Sequence, residues 1–149
     1  MQPGPITFGN VQFGQSQNKT LTVFNTGNKT LALTNPQISG VNVADFSVVT
    51  SFPLNVNSPT PITLQCAPTG STPGTRTAIL SFDTNDPLNS SVGYTLICNA
   101  VAQPAPGFGS TPAAPGPIDF GTVVVGVAQN AAIAVQESGT ATLTVNNAV

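Results

Sequence analysis

From Ile6 onward the sequence recurs 112 positions later (118 minus 6) without a gap. Ile6, Phe8, Gly9, Val11, Gly14, Gln17, Asn18, Val23, Gly27, Thr30, Leu31 and Asn35 return as Ile118, Phe120, Gly121, Val123, Gly126, Gln129, Asn130, Val135, Gly139, Thr142, Leu143 and Asn147. The matches fall on glycines, which fix where a backbone turns, and on alternating apolar positions, which fix the buried face. Such a pattern marks an internal duplication of one folding unit. It divides the chain into a complete copy at 1–102, a spacer at 103–117 and the N-terminal part of a second copy at 118–149. The second copy reaches only the equivalent of Gln37 (149 minus 112), so 118–149 holds no counterpart of anything from Ile38 onward.

Within the first copy, apolar residues alternate with Thr, Asn and Gln. Ile6 and Phe8, Val11 and Phe13, Leu21 and Val23, and Leu31 and Leu33 each predict a strand. A less regular stretch with Val41, Val43, Phe46 and Val48 is expected to supply an edge strand. Three stronger strands follow, placing Ile62, Leu64 and Cys66, then Ala78, Leu80 and Phe82, then Tyr94, Leu96 and Cys98 on single faces. Thr63, Gln65, Thr77, Ser81, Thr95 and Asn99 oppose them, as in strands with one buried and one wet face. Fourteen Gly and fourteen Pro punctuate the chain as a whole, and no stretch has helical periodicity. The class is all-β, and about seven short strands in about a hundred residues predict two packed sheets.

The spacer reads QPAPGFGSTPAAPGP, too rich in Pro and Gly to be expected in a sheet, and a Pro-rich segment is semi-extended. In the second copy, the half-sandwich alone would expose its inner face and unpaired edges. The most apolar window, Val123 to Val135, is too short for a membrane span and is broken by Gly126, Gln129 and Asn130, so it is expected to form a pair of strands. Met1 is followed by Gln2, Pro3 and Gly4, without a basic start or an apolar run, so no leader is expected in the chain as given; a secreted form would have lost it.

These residues carry a resemblance. The opening Gly9 and Gly14, the NTG turn at Asn25 to Gly27, the PG-rich turn before Arg76 and the TNDP turn at Thr84 to Pro87 occur in the order of the Hydin-type immunoglobulin-like repeat. That repeat is also called the choice-of-anchor D domain of bacterial surface proteins. The likeness covers 6–102 well and 118–147 in part. It implies an immunoglobulin-like β-sandwich related to the major-sperm-protein and pilus-chaperone folds, placed in tandem on exported proteins and generally without catalytic residues. Fold likeness by itself transfers no function.

Few residues offer chemistry. The eight charged side chains are Lys19, Lys29, Arg76, Asp45, Asp83, Asp86, Asp119 and Glu137. Three scattered cations make no track for a nucleic-acid backbone or an anionic membrane surface. The chain has no His, which removes the usual general base of a Ser-His-Asp or Cys-His nucleophile. Asp83 and Asp86 are the only close carboxylates, as a glycosidase pair would need, but FDTNDP is a turn-former. Calcium on Asp83, Asn85 and Asp86 would lack ligands, since Ca²⁺ takes six or more oxygens. Each FGxxxxG run has Gln15 or Val127 where a phosphate loop needs Lys. Asn18, Asn28 and Asn89 head Asn-X-Ser/Thr triplets and read as solvent-facing.

Cys66 and Cys98 are the only cysteines. An even count in a small secreted-looking sandwich favours a disulfide, with two buried free thiols as the alternative. No catalytic, metal or cofactor site is expected. The chain reads as a non-catalytic structural or adhesive module of an extracellular or cell-surface protein, whose partners are copies of itself or neighbouring domains of the same protein. The alternative is a subunit of a self-assembling fibre whose second sandwich is completed by strand addition from a neighbour. A small-molecule ligand is not expected, because sugar sites present exposed aromatic rings and Phe108 is the one ring expected to be exposed.

Overall fold

The computed structural model describes residues 4–146. The terminal residues of the 1–102 and 118–149 spans, and Asn147 of the repeat, lie outside that range. The chain falls into two compact units, Met1–Gln103 and Pro104–Val149.

Unit 1 is a two-sheet sandwich. Its strands are β1 (Ile6–Gln12), β2 (Gln17–Val23), β3 (Leu31–Ser39), β4 (Phe46–Val48), β5 (Leu54–Val56), β6 (Thr60–Cys66), β7 (Gly74–Thr84) and β8 (Ser91–Val101). One sheet has the order β1-β8-β7-β3-β5 and the other β2-β6-β4. The alternation accounts for the packing. Ile62, Leu64 and Cys66 from β6, Ala78, Leu80 and Phe82 from β7, and Leu96 and Cys98 from β8 are all buried, as are Phe8 and Val11 of β1. The Phe8 and Phe46 rings meet across the sheets at 5.8 Å. Outward positions carry Thr75, Thr77 and Ile79 on β7 opposite Asn99, Ile97 and Thr95 on β8, without a charge among them.

Several expectations need correction. Ile6–Phe8 and Val11 belong to one strand, not two, bent by a register shift between Thr7 and Asn10, and Phe13 lies in the turn that follows it. The expected edge strand starts only at Phe46. Val43–Asp45 form a 3-10 turn and Val41 is exposed, because Asn42 hooks onto β7 by accepting the Thr77 N–H and donating its own N–H to the Thr77 carbonyl. Strand β5 was not anticipated: three residues beside prolines carry no readable period, yet Val56 is fully buried.

Unit 2 departs further from expectation. The Pro/Gly-rich stretch does pair: β9 (Phe108–Thr111) fits between Pro106 and Pro112 and runs antiparallel to β10 (Ala134–Glu137). Glu137 closes this pair by accepting the Gly107 N–H at 2.8 Å and the Gly139 N–H. These bonds hold its carboxyl below the usual carboxylate range. Residues 118–133 form no strand, and Ile118, Phe120, Val123 and Ile133 are exposed. In unit 1 the equivalent segments are paired with β8 and β6, for which 118–149 holds no counterparts. The corner itself is reproduced. Gly14 and Gly126 both adopt a left-handed φ (78° and 86°), and the bond from Gln15 N–H to the Gln12 carbonyl recurs from Val127 to Val124.

The disulfide between Cys66 and Cys98 joins the two sheets, with Cα atoms 6.5 Å apart. Closing a 32-residue separation stabilises the folded state by about 3 to 4 kcal/mol on the chain-entropy model. The double substitution Cys66→Ala/Cys98→Ala is expected to lower unfolding free energy by that amount or more in urea titrations, with unit 1 still folded at room temperature. Because the Glu137 carboxyl is lowered on folding, its contribution is present above the unfolded carboxylate pKa and is lost as pH falls through the lowered value. Cross-strand NMR contacts between β9 and β10 should therefore weaken in acid, and Glu137→Gln should remove that dependence.

Candidate functional site

A cleft of about 580 Å³ lies at the pole of unit 1 where β2 ends, β3 begins and β7 turns into β8. Its floor is apolar, from Leu31, Leu33, Phe82 and Tyr94. Tyr94 stacks on Phe82 with ring centroids 6.0 Å apart, and burial raises its hydroxyl pKa. Phe24, 62% exposed, stands at the mouth. It was missed in the sequence, where it follows the inward-facing Val23 and so reads as merely outward; its place beside the NTG turn was the available signal.

The rim comes from that NTG turn and from the TNDP turn, and the side chains of Asn25, Asn85 and Asp86 there are bonded to backbone. Asn25 Nδ2 donates to the Lys29 carbonyl at 2.7 Å and to the Val56 carbonyl at 3.0 Å, while Oδ1 accepts the Gly27 N–H. Asn85 accepts the Ala32 N–H and donates to the Thr30 carbonyl, clipping the β7–β8 turn onto β3. Asp86 accepts from the Asn89 side chain and the Leu88 N–H, which lower its carboxyl below the ordinary range. The motifs that signalled turns in the sequence are turns held shut by their own side chains.

The residues weighed for calcium do not converge. Asp83 accepts from Asn35 on the outer face of the sheet, Asn85 bonds to β3, and Asp86 points back into its own turn. Among the described residues, no three His, Cys, Asp or Glu side chains are placed to hold a metal ion. Asn18, Asn28 and Asn89 are exposed.

At the opposite pole lies the one buried charged residue among the described residues. Asp45, 5% exposed, accepts the Thr69 N–H at 2.7 Å and the Thr69 hydroxyl at 2.6 Å, and its other oxygen lies 3.1 Å from Arg76 Nε. That approach is off the hydrogen-bond line, so it is an ion pair without an aligned bond. Arg76 also donates from Nη2 to the Thr72 carbonyl. The pair thus pins the β6–β7 loop at both ends, a holding role and not a reactive one.

Cys66 and Cys98, the only predicted site residues, are fully buried as the disulfide, which points to a non-reducing environment. No helix among the described residues is long and apolar enough to cross a membrane.

Asp45→Asn keeps an acceptor for Thr69 but strands the Arg76 charge. Breaking a buried pair costs about 3–5 kcal/mol, and the lower end applies because Arg76 keeps 16% of its side chain in water. A loss of roughly 3 kcal/mol in chemical denaturation is expected, with faster proteolysis in the 67–73 loop. No protein-family model and no curated protein matches this chain.

Proposed function

We propose that the chain is a non-catalytic structural module of an extracellular bacterial surface protein, of the Hydin-type immunoglobulin-like kind. The observation that carries this proposal is where the reactive side chains are engaged. Asn25, Asn42, Asp45, Asn85 and Asp86 all bond to backbone, closing turns or clipping them onto neighbouring strands. The disulfide supports an oxidising location, and the order of turn motifs supports the family likeness. An adhesive role fits the outer faces of the sheets, where hydroxyl and amide groups alternate with Ile79 and Ile97.

A second reading, the fibre subunit, is favoured by one observation. Phe120, Val123, Val125 and Ile133 are exposed in unit 2, and Val125 wholly so. Such side chains are partners for a strand added from a neighbouring copy.

One sample tests both. In NMR titrations with cell-wall sugars and short peptides, the signals of Phe24, Tyr94 and Asn85 are expected to stay fixed; saturable shifts there would make the cleft a ligand site and overturn the structural reading. Light scattering over a concentration series decides the second. Oligomers that vanish with Val125→Asp support the fibre, and a monomer throughout excludes it.

A further inference from the structure

We propose that unit 1 is a load-bearing element whose first and last strands form a clamp against tension along the chain. The proposal deepens the structural-module reading and rests on it.

The geometry is set by β1 and β8. They lie side by side and run parallel, with Ile6 opposite Leu96, Thr7 opposite Ile97, Asn10 opposite Asn99 and Gln12 opposite Val101. Parallel neighbours run in the same direction between the poles. The chain therefore enters β1 from the side of the cleft pole, at Ile6 opposite Leu96 midway along β8, and leaves β8 at the far pole, beyond Val101. Tension on the two ends draws β1 toward one pole and β8 toward the other. The ladder is loaded in shear, so its bonds share the force and must fail together.

Four features reinforce the slip plane. Phe13 N–H continues the ladder to the Val101 carbonyl at 3.1 Å, and Asn99 Nδ2 donates to Asn10 Oδ1 at 2.8 Å. Phe8 and Val11 project from β1 into the core, so β1 cannot slide without withdrawing both. Cys98 sits inside the clamped part of β8, and its bond to Cys66 transfers load to β6 in the opposite sheet. β8 cannot be drawn out alone.

Unit 2 supplies a contrast in the same chain. Its strands are antiparallel, and the bonds of Thr140 and Ala141 N–H to the Ala105 carbonyl, nearest both chain exits, part first. The bond of Ser138 N–H to the Gly107 carbonyl follows, and then the Phe108–Glu137 rung. Tension then opens the rungs one at a time toward Thr111 and Ala134. Each rung bears the full force alone.

The test is to pull single molecules of the full chain by its two ends. Forced opening reports the unfolding barrier, not equilibrium stability. Two events are expected: a weak one from unit 2, and one from unit 1 at no less than threefold higher force. The second is identified by reductant, which adds the 32-residue separation, roughly 105–115 Å at about 3.3–3.6 Å per residue. A second tether, from the N-terminal end to a handle on Leu88→Cys before β8, leaves the C-terminal half of β8 unpulled, so the ladder is no longer loaded from opposite ends; Leu88 is 90% exposed, so the handle disturbs no packing. Unit 1 should then open at less than half the end-to-end force. Equal forces in the two directions, or end-to-end opening at the force of unit 2, would overturn the clamp. Such a failure leaves the structural-module reading standing, since that reading is decided by the cleft titration.

Discussion

The Cys66–Cys98 bond ties together strands that are hydrogen-bonded on both sides, β6 between β2 and β4, and β8 between β1 and β7. Every other strand of unit 1 is reached from these two through a ladder or the shared core. The most remote is β5, which pairs with β3 at the sheet edge and places Val56 in that core. A small sandwich with few aromatic residues has a modest apolar core, and a cross-link between sheet centres stabilises it by restricting the unfolded chain. The turns can then be built from polar residues that contribute little burial.

Those turns show how a protein with so few charges holds its loops. Short amides and carboxylates act as substitute backbone: Asn85 presents an acceptor and a donor to residues 30–32 as a neighbouring strand would, and the Asn42 side chain accepts the Thr77 N–H while its backbone N–H donates to the Thr77 carbonyl. Hydrogen bonds of this kind add about 0.5–1.5 kcal/mol each where they are part-buried, and they also fix geometry. The NTG and TNDP motifs meet around one cleft because both turns close the same pole of the sandwich.

What was legible in the sequence follows from this division of labour. β6, β7 and β8 could be read because each has a wet face and a buried face, and the cysteines shared the buried one. The edge elements could not. β5 is three residues long, and the 43–45 turn depends on Asn42 finding Thr77, a contact between residues 35 apart in sequence. β9 was hidden by the average composition of its surroundings, although the interval between two prolines was long enough for four residues. The repeat posed the subtler problem. Alternation at 118–135 records which side chains face a core, but a strand exists only where another supplies its ladder. Turn geometry is local, so the Gly126 corner forms regardless. Of the cleft, the rim motifs were readable as turns, whereas their meeting and the exposed Phe24 were not.

The Asp45–Arg76 pair has a consequence beyond its own loop. With those two charges withdrawn, unit 1 keeps Lys19, Lys29, Asp83 and Asp86, two of each sign, on a surface hydrated chiefly by hydroxyls and amides. Ionic strength acts on proteins by screening exposed charge over a Debye length of about 10 Å at 0.1 M salt. A surface with so little to screen keeps nearly the same contacts in fresh water and in brine.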